Sequence, residues 1–108
     1  MFKEIFIDTE QIRNRLLLYN KNSSTPTLFL HGFTGMADSW EEVIKKINLH
    51  AITIDIVGHG ESTFKNLSID YNLDDWCEDL FQILDSLNIN KINLCGYSMG
   101  GRLSIAFA

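Results

Sequence analysis

The sequence predicts an α/β fold whose mostly parallel sheet carries helices on both faces, and three observations lead to it. From residue 27 onward, short apolar runs alternate with segments of helical periodicity. Two strand-like runs precede them, and three of the apolar runs end directly in glycine-bearing turns. The order of strand, strand, then strand and helix repeated three times is the pattern of crossover connections between parallel strands.

The elements follow in order. "FKEIFI" and "IRNRLLLY" suit two strands pairing as an antiparallel hairpin at the sheet edge, although alternation in the second is imperfect. "NKNSSTP" is a loop by composition and ends at Pro26, the only proline. "TLFLHG" reads as a short, fully buried strand stopped by Gly32. In "DSWEEVIKKI" Ser39 stands as N-cap with Glu42 three residues on, a capping box that predicts a helix start. "AITIDI" is a further buried strand, and "VGHGEST" a turn at its carboxyl end. "NLDDWCEDLFQILDSL" carries apolar residues at 73, 76, 77, 80, 81, 84 and 87, helical spacing, with Asn72 as cap and Asp74 and Asp75 suited to the first turn. "KINLCGYS" is a strand that runs into the helix "MGGRLSIAFA". That helix reaches Ala108 without glycine, proline or polar cap, and its apolar end is expected to continue in the intact protein.

Composition narrows the partners. With 45% hydrophobic and 21% charged residues the chain resembles an ordinary globular domain, and no linker or repeat divides residues 1–108. Nine basic against fourteen acidic residues give a net charge of −5, which argues against nucleic acid and anionic membranes. A small anionic substrate stays compatible, because one or two local arginines can hold it. Cys77 and Cys95 are expected to be buried, reduced thiols, too few for a disulfide framework or a zinc site. Lys3, Glu4 and Asp8 interrupt any signal-peptide core, and no apolar run approaches the ~20 residues of a membrane span, so a cytoplasmic location is expected.

The turns "HGFTG", "DIVGHGES" and "GYSMGG" all fall at carboxyl ends of parallel strands, where open α/β sheets bind ligands. Gly96-Tyr97-Ser98-Met99-Gly100 fits a nucleophile elbow, with a strand before it and a helix after it. The helix N-terminus offers Ser98 oriented amides for developing negative charge. A serine that merely caps the helix is the competing reading. The backbone N–H groups of Phe33 and Met99 would together form an oxyanion hole; a plain tight turn at Gly32 is the other possibility. His31 is expected to shape its loop, and Asp55, His59 and Ser62 to stiffen theirs. The dinucleotide fingerprint fails because Thr63 stands where glycine is needed, and no phosphate-loop ending is present, so no cofactor or metal is expected.

Together the three turns resemble the α/β-hydrolase superfamily, over residues 27–108, with Val57 in place of the proline common in the second motif. The resemblance implies the N-terminal part of an α/β-hydrolase fold, one incomplete domain over residues 1–108. Within the superfamily, "LHGFTG", Trp40 and "GYSMGGRLSIAFA" look like the 2-succinyl-6-hydroxy-2,4-cyclohexadiene-1-carboxylate synthases of menaquinone biosynthesis. That family eliminates pyruvate from a polycarboxylate with hydrolase-like machinery, its serine and histidine acting as base. The likeness implies Ser98 as catalytic residue and Tyr97 and Arg102 as substrate contacts. Arg102 lies one helical turn past Ser98, and a guanidinium is a natural bidentate partner for a carboxylate, although a solvated helix arginine has the same spacing. An ester or thioester hydrolase acting through an acyl-serine is the second reading, and a noncatalytic fragment the third. A serine needs a base oriented by a third group, which in this superfamily follows it as acid and then histidine; residues 99–108 contain neither. Little or no turnover is therefore expected of these residues alone, and the uncovered edge of the last strand is expected to favour self-association.

Overall fold

The computed structural model describes residues 2–65 and 71–108. Among these, β1 (Phe2–Asp8) and β2 (Ile12–Tyr19) form the antiparallel hairpin, in register from Asp8 opposite Arg13 to Phe2 opposite Tyr19. There follow β3 (Thr27–Leu30), α1 (Glu41–Ile47), β4 (Ala51–Ile54), β5 (Thr63–Phe64), α2 (Leu73–Ser86), β6 (Asn93–Gly96) and α3 (Met99–Phe107). The strand order is β1-β2-β4-β3-β6, with β5 added against β2. β3 pairs in parallel with both β4 and β6. The two-residue β5 has no apolar periodicity of its own; its pairing through Ile12–Phe64 and Arg13–Thr63 is supplied by β2.

The connection from β3 to β4 and the connection from β4 to β6 travel in opposite directions along the sheet. Crossovers of one hand that run opposite ways place their helices on opposite faces, and two separate cores result. Leu16, Leu28, Leu30, Ile52 and Ile54 pack on one face against Trp76, Leu80, Ile83 and Leu84 of α2, with Met99, Leu103 and Phe107 of α3 alongside. Leu17, Tyr19, Phe29 and Ala51 pack on the other against Ala37 and Ile44. Alternate strand residues thus serve alternate faces, and each fully buried leucine or isoleucine contributes about 1.5–3 kcal/mol.

Local signals succeed at α2 and fail at α1. Asn72 caps α2, its side chain accepting from the Asp75 N–H while the Asp75 carboxylate accepts from the Asn72 N–H, both at 3.0 Å. The buried stripe is narrower than the apolar spacing suggests, however, since Leu73 and Phe81 are exposed. Ser39 does not cap α1: it lies inside a 3₁₀ turn, Ala37–Trp40, its Oγ accepting from the Met36 N–H at 3.1 Å. α1 starts at Glu41 with no side-chain cap. The cause is tertiary, because the Asp55 carboxylate takes the Ala37 N–H (2.7 Å) and winds residues 37–40 into the tighter turn. Cys77 and Cys95 are free and half-buried rather than fully buried. No helix among the described residues is long and apolar enough to cross a membrane.

Candidate functional site

The carboxyl ends of β3, β4 and β6 bring the three glycine-bearing turns to one edge. Leu30 lies opposite Gly96, so the turns that follow β3 and β6 leave the sheet side by side. The turns touch: a Cβ on Gly32 would sit 2.9 Å from the Tyr97 ring, and the Tyr97 N–H donates to Leu30 O at 3.0 Å.

Ser98 sits at the start of α3 with φ 54° and ψ −110°. A side chain at positive φ outside the left-handed well is strained by roughly 1–3 kcal/mol. What holds it there is the packing of the glycines on either side. A Cβ on Gly96 would strike the Gly100 carbonyl, and one on Gly100 would strike the Leu30 carbonyl. Only glycine at both positions lets the first turn of α3 press onto the ends of β6 and β3 while the serine is pushed outward. Ser98 is exposed, and its hydroxyl makes no hydrogen bond among the described residues. The Phe33 and Met99 amides also donate to no acceptor among the described residues. For Met99 this is the orphan donor of a helix start.

His31 is 1% exposed and ties two of the turns together. Its Nε2 accepts from the Ile56 N–H (2.9 Å), which leaves the proton on Nδ1, facing Gly32 O at 2.7 Å. Burial, the largest influence, holds this imidazole below its ordinary pKa, with His59 adding to the effect and Gly32 O and Asp55 opposing it. His59 packs its ring 5.0 Å from His31 and edge-on to Phe33 at 5.7 Å. His50 lies at the amino end of β4, its Nδ1 on Ser24 O, at the opposite end of the sheet from Ser98.

A cleft of about 280 Å³ opens beside the first turn, lined mainly by Gly32, Phe33, Thr34, Ser39, Trp40 and Tyr97. Phe33 and Tyr97 present 75% and 68% of their surface to solvent at its rim. Ser98, Met99 and Arg102 are not among its lining residues. Arg102 is exposed on α3, where its N–H donates to Ser98 O at 3.1 Å, and its guanidinium meets no carboxylate among the described residues.

Sequence reasoning missed Arg15 and Asp38. Arg15 is 6% exposed and faces Glu4, Asp38 and Asp55 at 2.6, 2.7 and 3.1 Å. The hydrogen bond to Asp38 is the largest influence raising the Arg15 pKa, against the cost of burial, and the same bond is the foremost cause that lowers the Asp38 pKa. The only available signal was an arginine interrupting the apolar pattern of β2. Among the described residues no group of histidine, cysteine or acidic side chains is arranged to hold a metal ion.

A family model described as alpha/beta hydrolase fold matches residues 25–108. The chain is 41% identical, over 90 residues, to a Bacillus subtilis protein that carries the name 2-succinyl-6-hydroxy-2,4-cyclohexadiene-1-carboxylate synthase; the match covers 81% of this chain and 32% of that protein. Identity to a human monoacylglycerol lipase is 35% over 85 residues, covering 75% of this chain and 25% of the lipase. The chain thus spans about a third or less of the length of these relatives. Naproxen esterase from Bacillus subtilis superposes with a TM-score of 0.88 at 24% identity, over 99% of this chain and 38% of the esterase. For epoxide hydrolase A from Mycobacterium thermoresistibile the TM-score is 0.86 at 23% identity, over 99% of this chain and 34% of that one. With a sheet order, elbow and paired turns that agree with a match over most of its length, the chain belongs to the alpha/beta hydrolase fold family.

Proposed function

We propose that these residues are the N-terminal part of a lyase that eliminates pyruvate from a polycarboxylate menaquinone precursor, with Ser98 as its reactive hydroxyl. The Phe33 and Met99 amides stabilise the oxyanion, and Tyr97 and Arg102 contact the substrate. The observation that carries the reading is the strained backbone of Ser98, together with Phe33 and Met99 amides that have no acceptor among the described residues: a donor without a partner gives up no hydrogen bond when charge develops near it. Identity to the synthase-named relative, and an exposed arginine one turn past the serine, favour the polycarboxylate. The base must come from outside residues 1–108. His31 is committed to two backbone groups, His59 sits in the turn after β4 with its Nδ1 facing Val57 O at 3.4 Å, His50 lies at the far end, and residues 99–108 hold neither acid nor histidine.

The second reading, hydrolysis of an ester or thioester through an acyl-serine, is favoured by the aromatic lining of the cleft and by the lipase relative. Arg102→Ala separates the two in the protein that carries the acid and histidine. Under the first reading, pyruvate release falls roughly 10–100-fold, the worth of a charged hydrogen bond of about 1.5–3 kcal/mol, while cleavage of a neutral p-nitrophenyl ester is kept. Equal loss on both substrates would discard the carboxylate role. The 108-residue chain by itself is expected to show background rates on both; full activity there, abolished by Ser98→Ala, would remove the need for an outside base.

A further inference from the structure

We propose that Arg15 is the positioning residue for the loop that carries the Phe33 amide, acting through Asp38 and Asp55. The proposal rests on the reading of Phe33 as an oxyanion donor, but concerns what sets that amide's place. Residues 32–36 join β3 to the 3₁₀ turn and are clamped at both ends. At the β3 end, His31 bonds Gly32 O and the Ile56 N–H. At the other end the clamp is Arg15. Its Nη1 donates to Asp38 Oδ1 (2.7 Å) and its Nη2 faces Asp38 Oδ2 (3.4 Å), a fork on a carboxylate. Nη1 also donates to Asp55 Oδ2 at 3.1 Å. Asp55 in turn accepts from the Ala37 N–H through Oδ1 (2.7 Å) and from the Glu61 N–H through Oδ2 (2.8 Å). One guanidinium therefore fixes two consecutive residues of the turn, Ala37 and Asp38, and the opposite turn at Glu61, against the middle of β2. The Arg15 backbone adds a third tie, its N–H donating to Ser62 Oγ at 2.9 Å.

Stability alone is a poor reason for such a cluster. A buried ion pair is often matched or surpassed by apolar side chains of the same volume. What a planar, always charged fork supplies is direction, which an apolar contact lacks. Glu4 provides an internal comparison, since it bonds the same guanidinium through Nε at 2.6 Å but belongs to β1, whereas Glu61 of the opposite turn faces that Nε at 3.6 Å.

The test is an amide spectrum of the ¹⁵N-labelled protein that carries the acid and histidine as well; it needs no catalysis and so stands or falls separately from the role of Ser98. Removing Arg15 outright would strand Asp55 in the core, so the variants are made at the half-exposed partners, Asp38 and Glu4. Asp38→Asn is expected to shift the Gly32–Gly35 amides and the Trp40 indole N–H while the β3, β4 and β6 amides stay in place. Glu4→Gln is expected to leave the loop resonances unmoved, and Arg15→Lys, charged but without the fork, to reproduce the Asp38→Asn pattern. Unmoved loop resonances in Asp38→Asn, or the same displacement in Glu4→Gln, would overturn the proposal.

Discussion

Replacing Ser98 by glycine and, in parallel, by alanine separates backbone strain from hydroxyl chemistry. The serine holds φ 54° and ψ −110°, and a conformation of that kind costs roughly 1–3 kcal/mol for any residue with a Cβ. Its hydroxyl is exposed and without a hydrogen-bond partner among the described residues. Ser98→Ala therefore keeps the strain, loses no contact and should stay within about 0.5 kcal/mol of the parent. Glycine removes the Cβ and with it most of the strain, but widens the unfolded ensemble at a cost of about 0.4–1 kcal/mol. The difference predicts that Ser98→Gly is more stable than Ser98→Ala by about 0.5–2 kcal/mol. Urea unfolding reads this as a higher midpoint at unchanged slope, and a thermal melt as roughly 4 °C per kcal/mol. A glycine variant no more stable than the alanine variant would refute the reasoning, because Ser98 would then be relaxed and the elbow only a turn. Stability gained at the cost of the hydroxyl is the trade expected under the proposed role of Ser98.

Two further outcomes follow from the same edge. Because burial holds His31 below its ordinary pKa, the unfolded chain takes up the proton first; stability is full above about pH 6.5 and falls as the pH drops below it. Urea midpoints at successive pH values should show that slope, and His31→Gln should lack it; an unchanged slope in the variant would exclude His31 as its source. Gly100→Ala should destabilise by about 1–3 kcal/mol, since the added methyl meets the Leu30 carbonyl. Gly101→Ala, whose Cβ would lie at ordinary contact 3.5 Å from Gly96 O, should instead gain up to about 1 kcal/mol of helix propensity. Equal effects at the two glycines, measured by thermal melts, would contradict the packing described for the elbow.

The sequence legible on its own was the part written in neighbouring residues. Asn72 caps α2 because its partner Asp75 is three residues away. The elbow shows itself because Gly96 and Gly100 flank Ser98 within five residues, and the strand and helix on either side have their own periodicities. Alternation of apolar runs with helical segments likewise determined the class of sheet and the edge on which the three turns meet. Tertiary structure decided the rest. Ser39 has the local pattern of a cap, yet Asp55 claims Ala37 from across the sheet and a 3₁₀ turn replaces the first turn of helix. Phe81 fits the apolar spacing of α2 but faces solvent, since the core accepts only the narrower stripe of Trp76, Leu80, Ile83 and Leu84. Arg15 meets Glu4, Asp38 and Asp55 from 11, 23 and 40 residues away. No periodicity relates those positions. They meet because the sheet sets β1 and β4 on either side of β2, and only that arrangement turns one arginine in an apolar strand into the clamp on the turns beside Ser98.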